Sequence, residues 1–303
     1  MSYSEDKAYS ENRMEEFVAL LERHAPTEGF HQTSLYELVT FREEKPKGMC
    51  ASVYEPGIVI LGQGKKQAYL DGRKYDYSVG NYLSLYMPMP IDVEVVEASP
   101  EKPLLMIGLR IDLIKIADIL SKIDRAGGPL KEIEPADTSA IFSRPMTDNM
   151  LDPVIKLLRV LDDPVEMAVL SDSILEEIYF RLILDDHSGS LRRLLRHHGQ
   201  IQQISRAVEH MRNNLDEMVS VDELASLVNM SSSGFRKMFR DVMHMPPLQY
   251  AKALKLNHAQ TLILDGKNAS EAGYMVGYNS PAQFSREYKR RFGYSPSATL
   301  AAV

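Results

Sequence analysis

"VGYNSPAQFSREYKRRFGYSP", residues 276–296, reads as a complete helix with its start and stop written in. Ser280 is a good N-cap, Pro281 suits the first helical position, and Gln283 completes an S-x-x-Q capping box. Phe284, Tyr288 and Phe292 recur every four residues and predict one buried stripe. The other face shows Gln283, Arg286, Lys289 and Arg290. Gly293 supplies the left-handed residue that ends many helices. Upstream, Gly277 predicts a tight turn, preceded by a short helix.

The same unit occurs twice. "SSSGFRKMFRDVMHMPP" (231–247) aligns without a gap on "SPAQFSREYKRRFGYSP" (280–296). Phe235 matches Phe284, Phe239 matches Tyr288, and Pro247 matches Pro296. "LASLVNM" (224–230) likewise matches "AGYMVGY" (272–278). Ala225 and Gly273 hold equivalent places, where a small residue lets two helices cross closely. Glycine in a helix costs about 1 kcal/mol relative to alanine, so packing must justify Gly273. "PLQYAKALKLNHAQTLILD" predicts one long helix over Leu248–Asp265, joining the two units. At ~1.5 Å per residue it is about 27 Å long. A short helix, a tight turn and a longer basic helix make a helix-turn-helix, whose second helix enters the DNA major groove. Two units on one spacer of that length suit successive turns of duplex.

Charge agrees with this division. The 303 residues carry 35 Lys+Arg and 42 Asp+Glu, a net −7. Residues from 201 onward hold 12 basic and 9 acidic side chains, so the first 200 residues carry −10. An acidic body joined to a modestly basic module permits nucleic-acid binding and limits indiscriminate attraction to it. At 44% hydrophobic and 25% charged, the composition is that of a globular protein. No apolar run approaches the roughly 20 residues of a membrane span, and the polar, acidic N-terminus is unlike a secretory signal. Cys50 is the single cysteine, which excludes an internal disulfide. A cytoplasmic location is expected, with no membrane partner.

The first half has a different texture. A helix is expected over Asn12–Arg23, with Asn12 and Glu15 as its capping box. From about His31 to Asp112 short Val-, Ile- and Tyr-rich runs alternate with Gly, Pro and Asp. "QAYLDGRKYDY" predicts a hairpin, because Asp-Gly takes the positive φ angles of a type I′ turn. Several strands at this spacing imply a sandwich or barrel. Helices follow, in "DPVIKLLRVLDD" and "PVEMAVLSDSILEEIYFRLILDD". A domain boundary is expected near residues 187–200. The expected architecture is therefore α+β: a β-sandwich with flanking helices over 1–190, and an all-α domain with two helix-turn-helix units over 191–303.

With "LASLVNMSSSGFRKMFRDV", "PPLQYAKALKLNHAQTLIL" and "VGYNSPAQFSREYKRRFGYSP" in view, the last hundred residues resemble the AraC/XylS family of bacterial transcription regulators. That resemblance implies a seven-helix DNA-binding domain for sequence-specific control of transcription. The base-reading positions then fall on Ser233, Arg236 and Lys237 in the first unit. In the second they fall on Ala282, Gln283, Ser285 and Arg286. Arginine pairs bidentately with guanine and glutamine with adenine. Arg240, Lys289 and Arg290 are assigned to phosphates, which set register and make binding salt-dependent. Two positions depart from the family pattern. His244 stands where a helix-ending glycine is usual, and Lys255 where the connecting helix carries arginine. Residues 30–190 resemble, more loosely, an AraC-type N-terminal domain, which implies a cupin-like sandwich and helices that mediate dimerisation.

No catalytic residues, metal or cofactor are expected. The β region has only His31, and His197 and His198 lie in the linker. Candidate ligand-lining residues are Tyr54, Gln63, Lys66, Tyr69, Tyr82 and Tyr86, with Tyr75, Met87 and Met89; aromatic residues in strands also build cores. Cys50 is either a reactive thiol or a small buried hydrophobe. The expected partners are promoter double-stranded DNA, a small-molecule effector, a second copy through helices 150–186, and RNA polymerase for an activator. Leu157, Leu161, Leu170, Ile174, Ile178 and Leu182 are candidate dimer contacts or, equally, contacts to their own sandwich. Two alternatives stay open: a cupin-type enzyme with a DNA-binding tail, and a DNA-binding protein governed by a protein partner without ligand.

Overall fold

In the computed structural model, residues 10–75, 78–127, 140–186, 191 and 198–302 are described. The expected boundary near 187–200 falls largely outside them. The first helix, α1 (Glu11–His24), is one residue longer at each end than expected, and its N-cap is Ser10 rather than Asn12. Ser10 makes no side-chain cap; its backbone N–H instead donates to Asp148 Oδ1 at 2.9 Å.

Among the described residues, ten strands make two antiparallel sheets. They are β1 (Gly29–Gln32), β2 (Leu38–Glu43), β3 (Lys47–Tyr54), β4 (Gly57–Gln63), β5 (Lys65–Leu70), β6 (Arg73–Tyr75), β7 (Asn81–Leu85), β8 (Met89–Glu97), β9 (Leu104–Arg110) and β10 (Ile141–Pro145). One sheet has the order β1-β2-β9-β4-β7-β10, the other β3-β8-β5-β6. The hairpin at Asp71-Gly72 forms as expected, with φ 48° and 78° at the two turn residues. The late strand β10 is a correction to the sequence reading, which placed only helices after residue 112. It pairs with β7 across the chain, from Ile141↔Leu85 to Pro145↔Asn81, a long-range partner invisible to local pattern.

Helices cover the outer face of the larger sheet. They are α2 (Leu113–Arg125), α3 (Asp148–Val160) and α4 (Pro164–Leu184), together with α1. Central strand β4 lies between this layer and the second sheet, which is why "GIVILG" is buried along its whole length. At Gly62 an added Cβ would stand 2.6 Å from Leu21 Cδ1, so the missing side chain lets α1 pack down on the sheet. Leu157, Ile174, Ile178 and Leu182 are buried in this layer. They hold the helices to their own sandwich and are not free to contact a second copy; Leu161 is half-buried and Leu170 exposed.

Further helices among the described residues are α5 (His198–Asn213), α6 (Val221–Leu227), α7 (Ser232–Met243), α8 (Pro247–Leu264), α9 (Ala269–Met275), α10 (Pro281–Phe292) and the short α11 (Thr299–Ala302). The two predicted units are α6–α7 and α9–α10, and α8 connects them. The described core is in two parts. The large part runs from the sandwich through α6 and α7 to Tyr250, Ala251 and Leu254 on α8. A second, separate cluster holds Leu256, Ala259 and Ile263 of α8 with Ala272, Val276, Phe284 and Tyr288. The connecting helix thus belongs to one core by its first half and to the other by its second.

Candidate nucleic-acid interface

Each unit is built by local chemistry. Helix α6 starts with a full capping box: Ser220 Oγ accepts from Glu223 N–H, and the Glu223 carboxylate accepts from Ser220 N–H at 2.8 Å. Those hydrogen bonds hold the exposed Glu223 carboxyl below its ordinary pKa. Asn268 and Glu271 form the equivalent capping box at the start of α9. The box expected at Ser280 and Gln283 forms only by half. Ser280 Oγ accepts from Gln283 N–H at 3.3 Å, but the Gln283 side chain turns to Glu287 Oε1 instead. Glu287 also accepts from Tyr278 Oη at 2.8 Å and pairs with Lys252 Nζ at 3.2 Å. Glycine at 273 is justified by packing: an added Cβ would lie 2.8 Å from the Phe284 ring.

The long helices end as their sequences imply. Gly293 has φ 84°, and His244, in the equivalent place, takes φ 56°. Histidine enters this region at a cost that glycine avoids. Of the aromatic stripes, Phe235, Phe239 and Tyr288 are at 0% exposure and Phe284 at 2%, while Phe292, the last residue of the predicted stripe, is half-buried. Burial pushes the Tyr288 phenol up to about 12, and its Oη lies 2.7 Å from Thr299 Oγ1.

The opposite faces carry the polar residues. Ser233, Arg236, Lys237 and Arg240 on α7 are exposed, as are Ala282, Gln283, Ser285, Arg286, Lys289 and Arg290 on α10. Arg291 is the exception on that second helix. It turns into the sandwich and stands 2.8 Å from Asp92 Oδ1 on β8. Burial raises the Asp92 carboxyl, and Arg291 partly offsets the shift. Further contacts join the halves. Arg212 on α5 forks onto Glu55 (2.5 and 3.2 Å), Tyr250 Oη donates to Pro88 O at 2.9 Å, and Asn257 Nδ2 donates to Ser52 O at 3.4 Å. These pairs span about 160 to 200 residues of chain, so no spacing signal marks them in the sequence.

The ligand candidates separate. A cavity of about 420 Å³ opens between the sheets, walled by Val39, Phe41, Val59, Met106 and Gly108 on one side and Ser52 to Tyr54 on the other. Tyr54 lines it, and its hydroxyl is buried without a hydrogen-bond partner among the described residues. Lys66 Nζ stands behind this wall, 3.8 Å from Met106 Sδ and 5.2 and 5.8 Å from the Phe41 and Tyr54 ring centres. The others lie elsewhere. Gln63 Nε2 donates to Pro103 O beside a different surface cleft, and Tyr69 Oη donates to Gln67. Tyr82 is buried with its Oη on Asp185, and Tyr86 packs edge-on against Phe142. Met87 and Met89 are buried in the core and Tyr75 is half-buried. Cys50 is half-buried; burial pushes its thiol up, which keeps the thiolate fraction at neutral pH below that of an exposed cysteine.

Among the described residues no group of three His, Cys, Asp or Glu side chains is placed to hold a metal, and no helix is long and apolar enough to cross a membrane. His31 Nε2 contacts Thr27 O, while the side chains of His197 and His198 lie outside the described residues.

Two helix-turn-helix units with exposed basic second helices, behind a β-sandwich, define a DNA-binding transcription regulator. Residues 34–190 match the N-terminal domain of AraC-type transcriptional regulators and residues 224–302 match a helix-turn-helix domain. The chain belongs to the AraC-type family. Thermoregulatory protein LcrF of Yersinia pestis is 23% identical over 251 residues, covering 80% of this chain and 88% of LcrF. HTH-type transcriptional regulator ArgR of Pseudomonas aeruginosa is 30% identical over 94 residues, 31% of this chain and 29% of its own. Among solved structures, ToxT of Vibrio cholerae O395 superposes with TM-score 0.53 at 10% identity, over 88% of this chain and 98% of ToxT. At that identity the likeness is one of fold.

Proposed function

We propose that both units engage one duplex together, within a DNA-binding domain over 191–303 governed by a sensor domain over 1–190. Ser233, Arg236 and Lys237 read bases in one major-groove segment, and Ala282, Gln283, Ser285 and Arg286 in the next. Arg240, Lys289 and Arg290 hold phosphates. The observation that carries this reading is the sidedness of α7 and α10: all ten residues are exposed while Phe235, Phe239, Phe284 and Tyr288 of the same helices are buried. Gln283 must leave Glu287 to reach adenine, an exchange of one hydrogen bond for another. Each bidentate base contact is worth about 1–3 kcal/mol of discrimination. Arg236→Ala and Arg286→Ala are each expected to weaken a selected duplex by about 5- to 150-fold and to relax base preference at one position. Lys289→Ala is expected to weaken all sequences alike and flatten the salt dependence by about one counterion. Gel shifts on duplexes enriched by the wild-type chain measure this. Unchanged affinity and preference in the double arginine variant would remove the assigned roles.

The cavity between the sheets is the proposed effector site, since its size suits a small molecule. Tyr54 lines it and the next residue, Glu55, grips Arg212 of the DNA-binding half, so occupancy and domain arrangement share one short segment. A ligand preferring one arrangement shifts the population toward it. The ToxT fold has been solved with an unsaturated fatty acid bound. That makes oleate the first probe, with oleyl alcohol as control; a melting shift with neither, in a screen where a protein partner does stabilise the chain, would favour the partner-governed alternative. Self-association is proposed through the exposed Val165, Val169 and Leu170 of α4. A cytoplasmic location, and RNA polymerase contact for an activator, complete the reading.

A further inference from the structure

The two helix-turn-helix units share a helix but not a core. On α8, Leu254 belongs to the large core and Leu256 to the small one; Lys255 is the residue between them. The apolar cores therefore divide at this residue, so packing within either core does not by itself set the mutual angle of the units. A polar junction stands there instead. Lys255 Nζ donates to the backbone carbonyl of Glu217 at 2.7 Å. Glu217 lies in the turn between α5 and α6, just before the first unit. The same turn meets the turn of the second unit at Gly277. A Cβ built there would lie 2.1 Å from Asp216 O and 3.1 Å from Lys255 Nζ. Gly277 has φ 81°, so its backbone conformation and its close approach both require glycine.

We propose that Lys255 is a positioning residue for two-site DNA recognition: its ammonium clasps the α5–α6 turn against the turn of the second unit, and so holds α7 and α10 in one mutual arrangement. A lysine suits this place because its compact head donates to a carbonyl while fitting beside a glycine backbone. Its ammonium meets Glu217 and lies beside Gly277, neither of them an assigned DNA contact. Its effect is on geometry, so it acts only when both units bind at once. Two tethered sites bind as one only if their separation is held near that of the DNA half-sites. The inference rests on the reading that both units engage one duplex, and its test separates the two.

The first arm uses no DNA. In the full chain with Cys50→Ser, nitroxides are attached after Ser233→Cys and Ser285→Cys, one on each recognition helix. Pulsed dipolar spectroscopy is expected to give one narrow distance distribution, which Lys255→Met broadens at least about twofold. Lys267→Met, which removes an exposed charge from the loop after α8, is expected to leave it narrow. The second arm measures affinity, without labels, for a duplex enriched from a randomised library by the wild-type chain, and for the same duplex with either half scrambled. Lys255→Met is expected to lose about tenfold on the intact duplex and to match wild type on each half-scrambled one. A distribution that stays narrow, equal losses on intact and half-scrambled duplexes, or the same broadening with Lys267→Met would each overturn the proposal. Should the wild-type chain itself lose nothing when one half is scrambled, the two-site reading fails, while the distance measurement still decides whether Lys255 sets the arrangement.

Discussion

Phe284→Ala is expected to melt the second helix-turn-helix unit and leave the rest of the chain folded, whereas the matching change Phe235→Ala destabilises the sandwich as well. Both side chains are buried to within 2% and occupy the same place in the repeat. Truncating a buried phenylalanine costs about 3–5 kcal/mol, from lost burial and from the cavity left behind. The difference lies in what each ring touches. Phe284 packs on Tyr278 and Tyr288, at ring distances of 5.3 and 5.4 Å, inside the small cluster. That cluster is seven buried residues, too few to absorb such a loss. Phe235 packs on Phe239, which packs on Tyr250, which in turn donates to Pro88 of the sandwich. Its loss passes across the domain junction. Hydrogen exchange should show protection lost over residues 269–292 alone in Phe284→Ala, and over 221–254 together with β8 in Phe235→Ala. Even loss of protection across the whole chain in Phe284→Ala would show that the two cores are one cooperative unit.

Gly277→Ala carries the second large effect. An added methyl would stand 2.1 Å from the Asp216 carbonyl oxygen, a backbone atom that cannot swing aside. The φ of 81° adds a penalty of roughly 1–2 kcal/mol for any residue with a Cβ. Overpacking adds roughly 1–3 kcal/mol, for a total near 2–5 kcal/mol. Relief requires the α5–α6 turn and the second unit to part. The variant is therefore expected to keep the fold of each unit while losing affinity for a two-half duplex. Denaturant melts and gel shifts on one preparation test this. An unchanged midpoint with full duplex affinity would mean that the two turns do not meet in solution. Gly293→Ala is the control: φ is 84° there too, but nothing among the described residues lies within 4 Å of the added Cβ, so only the conformational part of the cost remains.

Much of the molecule was legible because its rules are local. The doubled S-x-x-x-F/x-x-x-F/Y pattern marked both recognition helices, and their buried and exposed faces follow from 3.6-residue periodicity. The Asp71-Gly72 hairpin and the helix ends at His244 and Gly293 follow from allowed φ angles. The departures were also local in origin but tertiary in outcome. The Gln283 side chain found Glu287 rather than its own backbone, because Lys252 and Tyr278 already held that carboxylate in place. The tyrosines of the β region looked alike in sequence, yet Tyr54 reached a cavity while Tyr82 and Tyr86 became core. Strand alternation states that a side chain points to one face, not what covers that face.

The amino-acid order alone determined that this chain carries two helix-turn-helix units behind a β-rich body, since caps, turns and stripes act within a few residues of themselves. Only the tertiary structure decided how those units are joined to each other and to the sandwich. The Lys255 clasp, the Gly277 approach and the Arg291–Asp92 and Arg212–Glu55 pairs link residues tens to hundreds of positions apart. Such contacts exist only once packing brings the backbones together, and no periodicity along the chain encodes them.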